Sequence, residues 1–442
     1  MIQTFPLALP GTLVDTHRID FTRLYSTGWG VAAHDVAAAA NGDVYALYGV
    51  SRYTSGVAES EPDPARANFT YVIITRYSAQ GEVLASAVAG RSGRNYLDGT
   101  ESALATGRDM TLCVLPDGTL SLNAHPNSTT LISPDLSRVL AAYSSGDGRP
   151  FRKPYVPGNP FAGSISVTPS GRLLCVAAEY GVWNYGSAIP NLVGVADGPL
   201  TPEHRPVIRA FASLDPQPKH QGEVDVQPHV RHGGEPVGLT HRPRPSLSEL
   251  LAGEGHPWRW HGARLQRPVP LADDLFVLPV YARTLRGGSR GLAFSYSLVD
   301  DQGAPAGRLD GMHPYRDSPF TGFCWNLASD PHRGRAYHLN RYGLFAWNKA
   351  GELRARLDTG TKTYRPLTRF TLTACTPSGD LLLVHQKQHL ILRVPAPDDL
   401  GDLAASVEQA LGVYTKQRTA LKKRWTPENW HWTDPSTPVH HL

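Results

Sequence analysis

Residues 108–143, RDMTLCVLPDGTLSLNAHPNSTTLISPDLSRVLAAY, constrain the fold more than any other stretch. Met110 to Leu115 is a short apolar run, and Pro116-Asp117-Gly118 turns it. Thr119 to Asn123 alternates and runs back, Ser133-Pro134-Asp135 supplies a second turn, and Arg138 to Tyr143 makes a further strand. Short apolar or alternating runs separated by Pro, Asp and Gly are the pattern of an antiparallel meander. A single meander cannot bury both of its faces, so it needs copies of itself stacked on either side.

The rest of the chain supplies the copies. A first unit comprises His34 to Ala40, the Asn41-Gly42 turn, Val44 to Tyr48, Tyr71 to Tyr77 and Val83 to Val88, with an acidic loop at 57–68. A third uses Ser164 to Val167, Pro169-Ser170-Gly171 and Leu173 to Ala178, then Leu192 to Ala196 and Val207 to Phe211. A fourth runs from Leu275 to Arg283 and from Gly291 to Val299. A fifth covers Cys324 to Leu357 with its turn at Gly334, and a sixth covers Phe370 to Val394 with its turn at Gly379. The expected fold is all-β: a β-propeller of six blades, or of seven if residues 214–263 hide one. Those residues, rich in Pro, His, Gly and Arg, read as an excursion between blades three and four, with one short helical stretch at Ser246 to Ala252. Thr12 to Phe21 is expected to pair near His389 to Val394 and close the ring, since closure removes open sheet edges.

The domain division is 1–397 for the propeller and 398–442 for a C-terminal helix and tail. Leu400, Leu403, Val407, Leu411, Tyr414, Leu421 and Trp425 mostly recur at helical spacing. Trp430 and Trp432 follow in the tail. An apolar stripe of this kind must dock on its own propeller or on another chain. Leu411, Tyr414, Leu421, Trp425, Trp430 and Trp432 are therefore the candidate partner-binding residues.

Composition narrows the function classes. Lys and Arg number 43 against 39 Asp and Glu, a net charge of +4 that makes no strong case for nucleic acid or a membrane surface. Gly (42) and Pro (37) are in excess of the roughly 12% average for the pair, which suits many turns. The start, MIQTFPLALPGTL, has no basic leader and reads as no secretory signal. No apolar run approaches the ~20 residues of a membrane helix, so a soluble cytoplasmic protein is expected. Cys113, Cys175, Cys324 and Cys375 lie far apart, each in an expected inner strand, and read as buried thiols rather than a disulfide or zinc set.

The hairpins GVAAHDVAAAANGDVYAL (30–47) and CWNLASDPHRGRAYHL (324–339) resemble the inner strands of NHL-type and SMP-30/gluconolactonase-type propellers. The resemblance covers roughly residues 30–395. It implies a divalent cation such as Ca²⁺ in the axial channel, held by carboxylate and amide oxygens. Asp35, Asp109 and Asn326 are the nearest matches, each seven to nine residues before an inner turn glycine, but Ser164 and Thr371 stand there in blades three and six. Arg91, Arg94, Arg149, Arg152 and Lys153, in loops between blades, could meet an anion. No nucleophile elbow or phosphate loop is present. Propellers resembling this one occur as adaptors beside ATPases in bacterial operons. The expectation is thus a non-enzymatic interaction scaffold without a cofactor, partnering an ATPase or another copy of itself. A metal-dependent lactonase-like hydrolase or lyase is the rival.

Overall fold

The computed structural model describes residues 3–6, 8–9, 12–13, 19–20, 29–52, 69–92, 110–124, 128–144, 164–184, 187–196, 198–204, 206, 208–213, 259–265, 267–286, 289–310, 327–340, 342–385, 390–417, 431–432 and 434–442. Six antiparallel sheets, each built mainly of four strands taken in chain order, form the blades of a propeller ring. Blade one holds Trp29–Ala38, Val44–Arg52, Phe69–Tyr77 and Val83–Ser92. Blade two holds Met110–Val114, Leu120–Ala124, Ser128–Ile132 and Val139–Ser144. Blade three begins at Ser164–Val167 and blade five at Leu327–Asp330. Blade six begins at Thr371–Cys375. The first strand of each blade lines the axis.

The turn chemistry explains the repeat. Each of these five inner strands ends in a tight turn whose glycine, at 42, 118, 171, 334 or 379, has φ between 63° and 89°. L-residues with a side chain rarely adopt that region. At Gly379 a side chain would also collide with the Asp330 carboxylate and the Arg333 guanidinium of the neighbouring blade. Blade packing is then apolar on both faces. Val36, Tyr48 and Ile73 of blade one meet Leu382, Val384 and Ile391 of blade six. Tyr45, Leu47 and Ile74 meet Leu112, Leu120 and Leu122 of blade two.

Blade four corrects the sequence reading. Its inner strand is Arg259–Leu265, continued after a break by Val269–Pro270, and both pieces pair with Leu275–Arg286. The end of the expected 214–263 excursion is thus propeller. A register irregularity between Trp260 and Gly262 breaks the two-residue alternation that would have disclosed it. Residues 214–258, with the expected helical stretch at Ser246 to Ala252, lie outside the described residues.

Ring closure is also displaced from the expectation. Gln3–Pro6, not Thr12 to Phe21, adds the outer strand of blade six, antiparallel to Leu390–Val394. Thr12–Leu13 instead pairs with Ile19–Asp20. The other end of the chain answers it: Val439–His441 pairs parallel with Ser86 to Val88 at the outer edge of blade one. Between these two additions, Ala8–Leu9 pairs parallel with His431–Trp432. Blades six and one are therefore joined by strands from both ends of the chain.

The helix Leu403–Gln417 follows a short 3-10 turn, Leu400–Asp402, capped by the Asp399 carboxylate accepting from the Gly401 N–H at 2.7 Å. Its stripe docks on its own propeller. Leu400, Leu403, Val407, Ala410, Leu411 and Tyr414 are buried with Leu344, Leu357, Leu390 and Leu392 of blades five and six. The Tyr414 ring meets Phe370 edge-on at 5.0 Å, and the Tyr364 hydroxyl donates to Glu408 Oε1 at 2.5 Å. Leu411 and Tyr414 are thus core side chains that no partner can reach, which corrects their assignment as partner-binding. Leu421, Trp425 and Trp430 lie outside the described residues, and Trp432 belongs to the strand that pairs with Ala8–Leu9. No helix among the described residues is long and apolar enough to cross a membrane.

Candidate functional site

The inner strands converge on an axial cavity of about 310 Å³, with residues of all six blades in its wall. Val36, Val114, Val167, Val269, Leu327 and Ala374 make the wall apolar, and Pro116, Pro169, Pro331 and Pro377 rim it where the inner turns begin. The prolines are positioned by the same turns that hold the positive-φ glycines, so the mouth is built from the rigid part of each blade.

Asp35 is paired with the lining residue Arg267 and precedes the lining residue Val36, and a local irregularity aims it there. The register of blade one shifts between Ala33 and Asp35, so His34 is an extra residue in the strand. Its imidazole occupies the space left by the missing side chain of Gly49. A bulge of this kind re-aims the next side chain. The Asp35 carboxylate is 5% exposed and wholly committed. Oδ1 accepts from the Val36 N–H at 2.9 Å. Oδ2 accepts from the Leu112 N–H of blade two at 2.8 Å and from Arg267 Nη1 of blade four at 2.8 Å.

Arg267 stands in the break of the blade four inner strand, where Pro268 has no N–H to give to the ladder. The guanidinium crosses the axis. Its Nε donates to Ser166 Oγ of blade three at 3.2 Å, and that hydroxyl donates onward to the Pro268 carbonyl at 2.7 Å. Blades one, two, three and four are thus tied through one ion pair and its neighbours. Burial pushes the Asp35 carboxyl above the ordinary carboxylate range, and Arg267 and the two amides oppose that rise.

This arrangement does not fit the cation implied by the family resemblance. A guanidinium occupies the position at Asp35 Oδ2 that a divalent ion would need, and both carboxylate oxygens already accept hydrogen bonds. Asp109 and Asn326 lie outside the described residues. Among the described residues there is no group of three His, Cys, Asp or Glu able to hold a metal. The described thiols offer no nucleophile. Cys113 and Cys175 pack in one apolar cluster, and burial pushes them up to about 11 and about 12. Cys375 is raised by the same cause, and Cys324 lies outside the described residues. A thiol so raised stays protonated and unreactive near neutrality.

Arg267 is the residue that the sequence reading missed. The cations expected to meet an anion, Arg91, Arg94, Arg149, Arg152 and Lys153, have side chains outside the described residues. The available signal was Arg267-Pro268 just before the apolar Val269-Pro270-Leu271, a proline interrupting what is otherwise a strand.

No family model matches the chain, and no curated protein matches it. Solved structures similar to it include a gluconolactonase and WD40 domains. A gluconolactonase from Xanthomonas campestris is 12% identical, with 89% of this chain and 98% of that chain covered, at a TM-score of 0.34. The WD40 β-propeller domain of Doa1 is 10% identical over 89% and 98%, at 0.32. The WD40 domain of Neurospora crassa Pan2 is 9% identical over 83% and 95%, at 0.35.

Proposed function

We propose that this chain is a non-catalytic propeller scaffold that presents its ring to other protein chains in a cytoplasmic bacterial assembly. The commitment of Asp35 carries this reading. Of the carboxylates expected to serve a metal, Asp35 is spent on Arg267 and on the backbone amides of Val36 and Leu112. Its chemistry holds the ring together, and neither of its own oxygens is free for an active centre. The latch made by both ends of the chain supports the same reading, because a rigid closed ring is what a docking platform needs. An ATPase subunit or a second copy of this chain is the partner class proposed.

Two measurements on the full chain test this. Light scattering and affinity isolation from the host, followed by reconstitution with each purified candidate, should give a stoichiometric complex. Hydrolysis of a lactone panel in Ca²⁺, Mn²⁺ or Zn²⁺ should stay at the background rate. Metal-dependent turnover that Asp35→Asn abolishes would overturn the proposal in favour of the lactonase-like enzyme.

A further inference from the structure

The Asp35–Arg267 pair explains how the ring is tied, but not why so large an apolar cavity is left above it. A structural tie alone could be covered by larger side chains. Instead the wall is mostly valine, alanine, proline and small hydroxyl residues with Leu115 and Leu327, no Phe, Tyr or Trp is among its described residues, and about 310 Å³ stays open. That volume is at the lower end of the range for small-molecule sites, which are mostly apolar with a few convergent polar groups.

The polar group here is Arg267. Its side chain is 30% exposed, and it lines the cavity. Nε is used by Ser166 and Nη1 by Asp35, while Nη2 has no hydrogen-bond partner among the described residues. A guanidinium presents its N–H groups in a planar fork matched to carboxylate geometry. Its unspent edge is held by two fixed contacts, so little ordering is needed when a ligand arrives. Thr168, Ser329 and Thr376 add hydroxyls nearer the mouth.

We propose that this cavity binds a small monocarboxylate, its carboxylate on Arg267 Nη2 and its apolar body against the valine and proline wall. The site differs in kind from a metal centre, since its cation is a side chain. It does not rest on the scaffold reading, and would stand whether or not the ring docks other chains.

The test is calorimetric titration of the full chain at neutral pH with hexanoate, octanoate and benzoate, and with hexanol and hexylamine as controls of matching body. The acids should bind, with hexanol at least tenfold weaker and hexylamine silent. Arg267→Gln should weaken hexanoate at least tenfold. Asp35→Asn keeps an acceptor oxygen for one of the two backbone amides and removes the competing charge, so it should tighten hexanoate severalfold. A residue with only a structural role would not produce that gain. Ser329→Phe fills the cavity without touching the ion pair and should abolish binding even if Arg267→Gln fails to fold. Equal binding of hexanoate and hexanol, no heat with any acid, or unaltered affinity in Ser329→Phe would each overturn the proposal.

Discussion

Gln3 lies in antiparallel register opposite Arg393, which places the first strand of the chain on the last blade. Arg393 itself reaches sideways: its Nε donates to Asp380 Oδ2 at 2.7 Å and its Nη1 to the Ala79 carbonyl of blade one at 3.3 Å. The seam between the last and first blades is therefore bridged three ways, by this arginine, by Gln3–Pro6 and by Val439–His441. A ring whose end blades share no continuous chain would otherwise open there first.

Deleting residues 1–9 removes the outer strand of blade six and the partner of His431–Trp432. Each backbone hydrogen bond contributes about 1 kcal/mol net, so a loss of a few kcal/mol and a fall in Tm on the order of 5 °C are expected. Differential scanning calorimetry decides it. A deletion that melts unchanged would mean that Val439–His441 and Arg393 hold the seam alone.

The helix prediction follows from burial. Tyr414 is fully buried against Phe370 and His385, and the helix stripe fills the groove over blades five and six. Truncating a large buried aromatic costs about 3–5 kcal/mol, so Tyr414→Ala should lower urea stability by that amount. Removing residues 398–442 should leave an aggregating chain, because the exposed groove is apolar and the outer strand of blade one is lost with it. A soluble truncation with unchanged β signal by circular dichroism would show the helix to be an appendage.

The axial pair gives a graded test. Asp35→Ala leaves the Val36 and Leu112 amides without their acceptor in a buried place, at about 1–3 kcal/mol each. Arg267, being partly exposed, can turn toward the cavity. Asp35→Asn restores an acceptor and should lose roughly half as much. Equal losses in denaturant titrations of the two variants would mean that the charge, not the amide contacts, matters.

Much of this was legible in the residues, and the exceptions have physical causes. Turn glycines and helical spacing are local, so the blades and Leu403–Gln417 could be read from Gly42, Gly118 or the Leu403-Val407-Leu411-Tyr414 stripe. The closing strand Gln3–Pro6 is short and ends in a proline, which hides it in the sequence, yet an outer edge strand tolerates proline. Asp35 could be found by its spacing from Gly42. Its partner could not, because a contact between residues 232 apart depends on how a bulge at His34 and a break at Pro268 aim two side chains. No local pattern records that.

Two carboxyls should titrate in opposite directions, and the signs give the last prediction. Asp135 accepts from Ser133 Oγ at 2.6 Å, from Ser137 Oγ at 2.8 Å and from the Ser137 N–H at 3.1 Å, all favouring the charged form. These bonds, that from the Ser133 hydroxyl first, lower its carboxyl to about 2. An unfolded Asp titrates near ~3.9. The folded value is depressed, so Asp135 favours folding above pH ~4, and that contribution is lost as pH falls toward 2. Asp35 is raised by burial, against the pull of Arg267. Its folded state binds a proton more tightly than the unfolded chain does, so its contribution is fully present below pH ~4 and fades as pH rises through the folded value. Carbon-detected NMR titration of the two side-chain carboxyls should place Asp35 above and Asp135 below the unfolded reference. In Arg267→Gln the Asp35 midpoint should move higher still, since the opposing cation is gone, while Asp135 stays where it was. An Asp35 midpoint that does not respond to Arg267→Gln would mean that the two side chains are not paired across the axis.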